Sequence, residues 1–125
     1  MHASNAEIET LTCKAAVGVG LPAGLAEDAG VAAAWLSGAG FAGADIACRA
    51  IENIRKGRAR PVIISGHTAS LCPDTKGKLA SVMYAAPSLF DFLQTTSRVT
   101  VARLDEPLLL FSHLVCSSSV RAMEL

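Results

Sequence analysis

Between Leu21 and Asn53 two helix-length patterns meet at a glycine-rich joint, and this stretch restricts the possible folds more than any other. Pro22 suits the first turn of a helix, where its missing N–H costs nothing. Leu25, Ala29, Ala32 and Leu36 then recur at helical spacing as a buried stripe, which Val31 and Trp35 widen. Ala32, Ala33 and Ala34 favour helix and leave room for a close neighbour. Glu27 and Asp28 lie off the stripe, near the positive end of the helix dipole. After the joint, a second helix is expected from about Ala44 to Lys56. Its apolar face is Ala47, Ala50, Ile51 and Ile54, and Gly57 is placed to end it. Asp45–Arg49 and Glu52–Lys56 are spaced to pair along its solvent side.

Gly38, Gly40 and Gly43 spell a literal G-x-G-x-x-G and are the cofactor-binding candidates of the chain. In a dinucleotide fold such glycines make a tight turn and let backbone approach a pyrophosphate at a helix N-terminus. That chemistry also needs a strand before the motif and an acidic residue after the next strand. Here helix formers precede the motif. The next strand pattern, Pro61 to Ser65, runs into Gly66 and His67 with no carboxylate for a ribose. The joint is therefore expected to link two helices, and no cofactor is expected.

Upstream, Ser4 and Glu7 fit a reciprocal capping box. Ile8, Leu11, Ala15 and Val19 form one stripe of a helix that Gly18 and Gly20 end. Downstream, Gly66 to Lys78 reads as a polar loop and Leu79 to Tyr84 as a strand. Ser88 and Asp91 suggest a capped short helix to about Gln94, and Arg98 to Leu104 is the clearest strand pattern. Asp105 is a candidate N-cap for a helix starting at Pro107 that is apolar nearly all round to Cys116. Ser117 to Ser119 reads as a loop. Val120 to Leu125 reads as a strand left without a partner, so the domain is expected to be truncated or completed by another element.

Three groupings carry candidate chemistry. Arg55, Lys56, Arg58 and Arg60 form a basic run, but the chain has a formal net charge of zero and only 5% aromatic residues. A nucleic-acid partner is therefore not expected, and the cations are read as helix-end charges. His67, Cys72 and Asp74 share the Gly66–Lys78 loop, where a Cys nucleophile and a His base are conceivable but no oxyanion donor can be named. A metal set of His67, Cys72 and His113 matches no common ligand spacing, so no metal is expected. The four cysteines, Cys13, Cys48, Cys72 and Cys116, are spaced too widely for a disulfide framework and are read as free thiols. No apolar run has the length of a membrane span, and the first ten residues show no basic-then-apolar signal-peptide pattern, so a membrane is not expected and the compartment is read as cytoplasmic.

Three blocks carry a family resemblance: Leu21 to Gly30 with Trp35 and Leu36, Leu71 to Pro73 before Gly77, and Leu104 to Leu108. Together they resemble the uncharacterised bacterial domain-of-unknown-function family 3726, over nearly the whole chain. The resemblance implies a bacterial cytosolic protein, in a family whose members tend to run longer. It brings no activity, cofactor or catalytic residue. The Gly20, Leu21, Pro22 step is also similar to the helical N-terminal region of malate/lactate-type dehydrogenases that lack a Rossmann fold, but the Asp-Ser-His-Gly stretch of that family is absent.

The expected fold is α+β: an N-terminal three-helix unit, then a small mixed β-sheet with two further helices. A chain of 125 residues is expected to be one domain, with a helical part over 1–57 and an α/β part over 58–125. The expected function is a small binding or accessory module without catalysis of its own, a homo-oligomer or bound to a protein partner. The alternative is a small-molecule enzyme or nucleotide-binding protein using the Gly38–Gly43 turn or the Gly66–Lys78 loop.

Overall fold

A computed structural model describes residues 4–64, 70–96 and 98–124, with side chains described as far as residue 116. It is α+β: three helices, then short strands and two further helices.

Helix α1 (Asn5–Gly18) starts where Ser4 accepts from the Glu7 N–H at 3.2 Å and its hydroxyl donates to the Glu7 carboxylate, so the capping pair is present. Its buried stripe is Ile8, Thr12 and Ala16, rotated from the expected one, and Leu11 is 61% exposed. The rotation follows from how closely α1 meets α2 (Ala23–Gly38). A Cβ on Gly30 of α2 would lie 2.5 Å from the Glu9 carbonyl oxygen, so small residues occupy the crossing and the bulky Leu11 turns outward.

Helix α2 is the centre of the molecule and packs against all four other helices. Ala26, Ala29, Ala32, Ala33 and Leu36 are buried. Its larger residues Val31 and Trp35 are exposed rather than part of the buried stripe, because small side chains are what allow several helices to gather round one. Helix α3 (Gly43–Arg55) buries Ile46, Ala47, Ala50 and Ile51, and Gly57 ends it at φ +71°. Glu52 pairs with Arg55 at 2.7 Å and with Lys56 at 3.8 Å, whereas Arg49 reaches Glu106 at 2.7 Å instead of Asp45.

The single sheet expected is two. Strand β1 (Ala59–Arg60) pairs in parallel with β4 (Leu79–Ala80). Strand β2 (Val62–Ile64) pairs antiparallel with β3 (Ser70–Pro73), Ile63 opposite Cys72, and β3 pairs in parallel with β5 (Thr100–Val101). Cys72 and Pro73 thus lie in a strand rather than a loop. The expected long strand from Arg98 is cut to β5; Arg103 turns the chain at φ +59° beyond its end, after which Leu104 bridges to Ala80.

Two helix boundaries also differ. Helix α4 runs Val82–Leu93, so Val82 to Tyr84 is helical and Ser88 lies mid-helix. Pro87 sits inside it, at the loss of the one bond to the Met83 carbonyl. Helix α5 runs Pro107–Glu124, through both the expected serine loop and the expected terminal strand. Extending a helix already under way carries no new nucleation cost, so three serines are not enough to stop it. Asp105 does not cap α5. Its carboxylate accepts from the Val82 N–H at 2.9 Å and from Asn53 Nδ2 at 3.2 Å, tying the start of α4 to α3. Burial pushes its pKa up, against the pull of these bonds and of the Glu106 N–H.

Candidate functional site

A cavity of about 410 Å³ opens between α2, α4 and α5. Helix α2 contributes Asp28 and Val31, three residues apart on one face; α4 contributes Ala86, Pro87, Phe90 and Asp91. Helix α5 contributes His113 and Cys116, again three apart. Their placement is set by Ser112, whose buried hydroxyl donates to the Ala32 carbonyl of α2 at 2.6 Å. That bond ties α5 to α2 one residue before His113.

His113 is 6% exposed, and its Nε2 has no hydrogen-bond partner. Burial pushes its pKa down to about 4, so the ring is neutral at pH 7. Burial pushes the Cys116 thiol up, with the Ser112 hydroxyl acting the other way. Desolvation, and then the neighbouring Glu27, raise the Asp28 carboxyl. A nucleophilic cysteine needs the opposite shift. Among the described residues no hydrogen bond joins Cys116 to His113, the contact that an activated pair of these two groups would show.

Beside the cavity, the Trp35 and Phe111 rings meet edge to face, centroids 6.1 Å apart, and stay 37% and 54% exposed. Val31, one helical turn before Trp35, continues this apolar ridge.

The sequence candidates lie elsewhere. Gly38 ends α2, Gly40 takes φ +93° and Gly43 opens α3, with a helix on each side. The N–H groups of Gly40, Phe41 and Gly43 bond to Ser37, Leu36 and Phe41 carbonyls, so they are already occupied. A Cβ on Gly43 would overlap the Ala33 carbonyl oxygen, so its bareness serves the α2–α3 contact. The Gly66 to Ala69 part of the polar loop, with His67, lies outside the described residues. Asp74 accepts from Nε and Nη2 of Arg60, at 3.0 and 3.1 Å, and the Arg60 guanidinium holds its carboxyl low. Arg55 and Lys56 face Glu52, and Arg58 donates to Asn53, so the basic run is engaged locally. Among the described residues no three His, Cys, Asp or Glu side chains are placed to hold a metal ion, and no helix is long and apolar enough to cross a membrane.

Sequence reasoning places Asp28 at a helix dipole, Asp91 in a capping box, Cys116 among free thiols and His113 only in a metal set. One signal for the cavity is present in the sequence: Ser112, His113 and Cys116 interrupt an otherwise apolar helix at spacings that share a side.

The fold defines an α+β protein whose three-helix unit carries one wall of this cavity. The chain belongs to the family DUF3726, described as a protein of unknown function, whose model matches residues 3–77. The match covers Asp28 and the glycine joint but stops before Asp91, His113, Cys116 and the Leu104–Leu108 block. No curated protein and no solved structure matches the chain.

Proposed function

We propose that this chain is a small bacterial cytosolic binding or accessory module, without catalytic activity of its own, that works as a homo-oligomer. The observation carrying this reading is the Trp35–Phe111 pair, two large rings packed on each other yet left in solvent. Aromatic rings are enriched at protein interfaces and supply much of their binding energy. With Val31 the rings form a ridge on α2 and α5 that a second copy, presenting the same ridge about a two-fold axis, would cover. The raised Cys116 thiol and its lack of a bond to His113 favour binding over catalysis.

Sedimentation equilibrium over a wide concentration range tests this. Self-association is expected, and Trp35→Glu is expected to leave a monomer. Trp35 is the sole tryptophan, so its emission should shift to shorter wavelength as subunits associate. A monomer at every concentration, with unchanged emission, overturns the homo-oligomer.

A further inference from the structure

Strand β2 is an edge of its sheet, in which β3 lies between β2 and β5. The ladder decides which of its backbone groups face outward. The Asp74 N–H donates to the Pro61 carbonyl, so Pro61 and Asp74 are a hydrogen-bonded pair. In an antiparallel ladder such pairs alternate with unbonded ones, which makes Ile63 with Cys72 the next bonded pair. Val62 and Ile64 therefore turn their N–H and C=O groups away from β3. Leu71, opposite Ile64, agrees with this phase, because its carbonyl accepts from the Ala102 N–H on the far side of β3. Among the described residues nothing bonds to the outward groups of Val62 and Ile64.

Edges of this kind are normally guarded by charge or by proline. Here Val62, Ile63 and Ile64 are uncharged, and Pro61 lacks its N–H on the inner side, toward Asp74. Ile63 and Ile64 are 51% and 61% exposed. Beside the edge a groove of about 610 Å³ lies between β2 and α4. Ile64, Leu71 and Phe92 give it apolar walls, and Asp91 is the one charged residue lining it. Asp91 is in no ion pair among the described residues.

We propose that β2 takes up an extended peptide segment of another protein as a further strand, with one apolar and one basic side chain in the groove. Two N–H and two C=O groups, repeating every second residue along a free edge, are what an added strand pairs with. Side chains two apart on that strand share a face, so an apolar one meets Leu71 and Phe92 while a basic one meets Asp91. A second copy of β2 brings no such cation, since Val62 to Ile64 is neutral and Arg60 is held by Asp74. The inference rests on the binding-module reading and gives it a partner class. It uses a different surface from the Trp35–Phe111 ridge, so a peptide that fails to bind leaves the sedimentation result standing.

The test uses the full chain and two synthetic peptides, acetyl-TVTVTKT-amide and acetyl-TVTVTET-amide, in an NMR titration. The lysine peptide is expected to bind saturably, at least about tenfold more tightly than the glutamate peptide. On binding, the Val62 and Ile64 amides are expected to slow in hydrogen exchange, while the Ile63 amide, already bonded to Cys72, stays as it was. Asp91→Lys, at an exposed side chain, is expected to reverse the order of the two peptides. Ile64→Pro removes an outward N–H and no ladder bond, and is expected to weaken both at least about tenfold. The proposal is overturned by equal binding of the two peptides, by binding that leaves the Val62 and Ile64 amides unprotected, or by no saturable binding. Protection of those two amides in the free chain also overturns it, because a second copy would then hold the edge.

Discussion

Burial holds the His113 imidazole at a pKa of about 4, against an ordinary value of 6.5 in the unfolded chain. Between those values the unfolded chain takes up a proton that the folded chain refuses. The contribution of His113 to stability is therefore fully present above about pH 6.5 and is lost as pH falls toward 4. The slope approaches about 1.4 kcal/mol per pH unit, and the loss totals about 3 kcal/mol. Asp28 and Asp105 have raised pKa values and act with the opposite sign, gaining stability as they take up protons. Comparing wild type with His113→Leu cancels them. Urea unfolding at pH 7, 6, 5 and 4.5 is expected to give a difference between the two proteins that grows with acidity in favour of the variant. A constant difference would remove the buried neutral histidine.

Among the helices, two glycines make opposite predictions. Gly24 lies within α2 with open space where a Cβ would stand, so Gly24→Ala is expected to stabilise by about 0.5–1 kcal/mol. Gly43 faces the Ala33 carbonyl, and Gly43→Ala has to push α3 off α2, at a cost of about 2 kcal/mol or more. Thermal melts of both variants check the pair, and a loss for Gly24→Ala or a gain for Gly43→Ala would refute the packing account. The same contrast separates what was legible in the sequence from what was not. Ser4 with Glu7, Gly57 after α3 and the three N-terminal helices could be read because each depends on residues within a few positions. Asp105 could not, since nothing near it signals that its carboxylate caps α4, a helix starting 23 residues earlier. Ser88 and Asp91 imitate a helix start, whereas α4 begins at Val82, where the Ala85 N–H donates to the Ser81 carbonyl and the Val82 N–H to Asp105. Beyond the spacing of Ser112, His113 and Cys116, the cavity was illegible for a related reason. Asp28, Asp91 and His113 come together only because α2 gathers helices from both halves of the chain.

For the whole molecule, all four cysteines are free thiols, one exposed and three half-buried. Denatured without reductant, the protein is expected to titrate four thiols per chain, and two or none would contradict this. In the native state Cys48, the only exposed one, is expected to react first. Cys116, held protonated by burial, is expected to lag. The bond from Ser112 to the Ala32 carbonyl spans 80 residues, and it has a consequence during synthesis. Helices α1 to α3 are contiguous and can assemble as they leave the ribosome, but the side of α2 that receives α5 stays bare until Ser112 has been made. At about 5–20 residues per second that gap is roughly 4–16 s, during which Ala32 and its neighbours face solvent uncovered. A ribosome-bound chain arrested after α3 is therefore where a chaperone should crosslink to α2, and release of that crosslink should wait for the last helix.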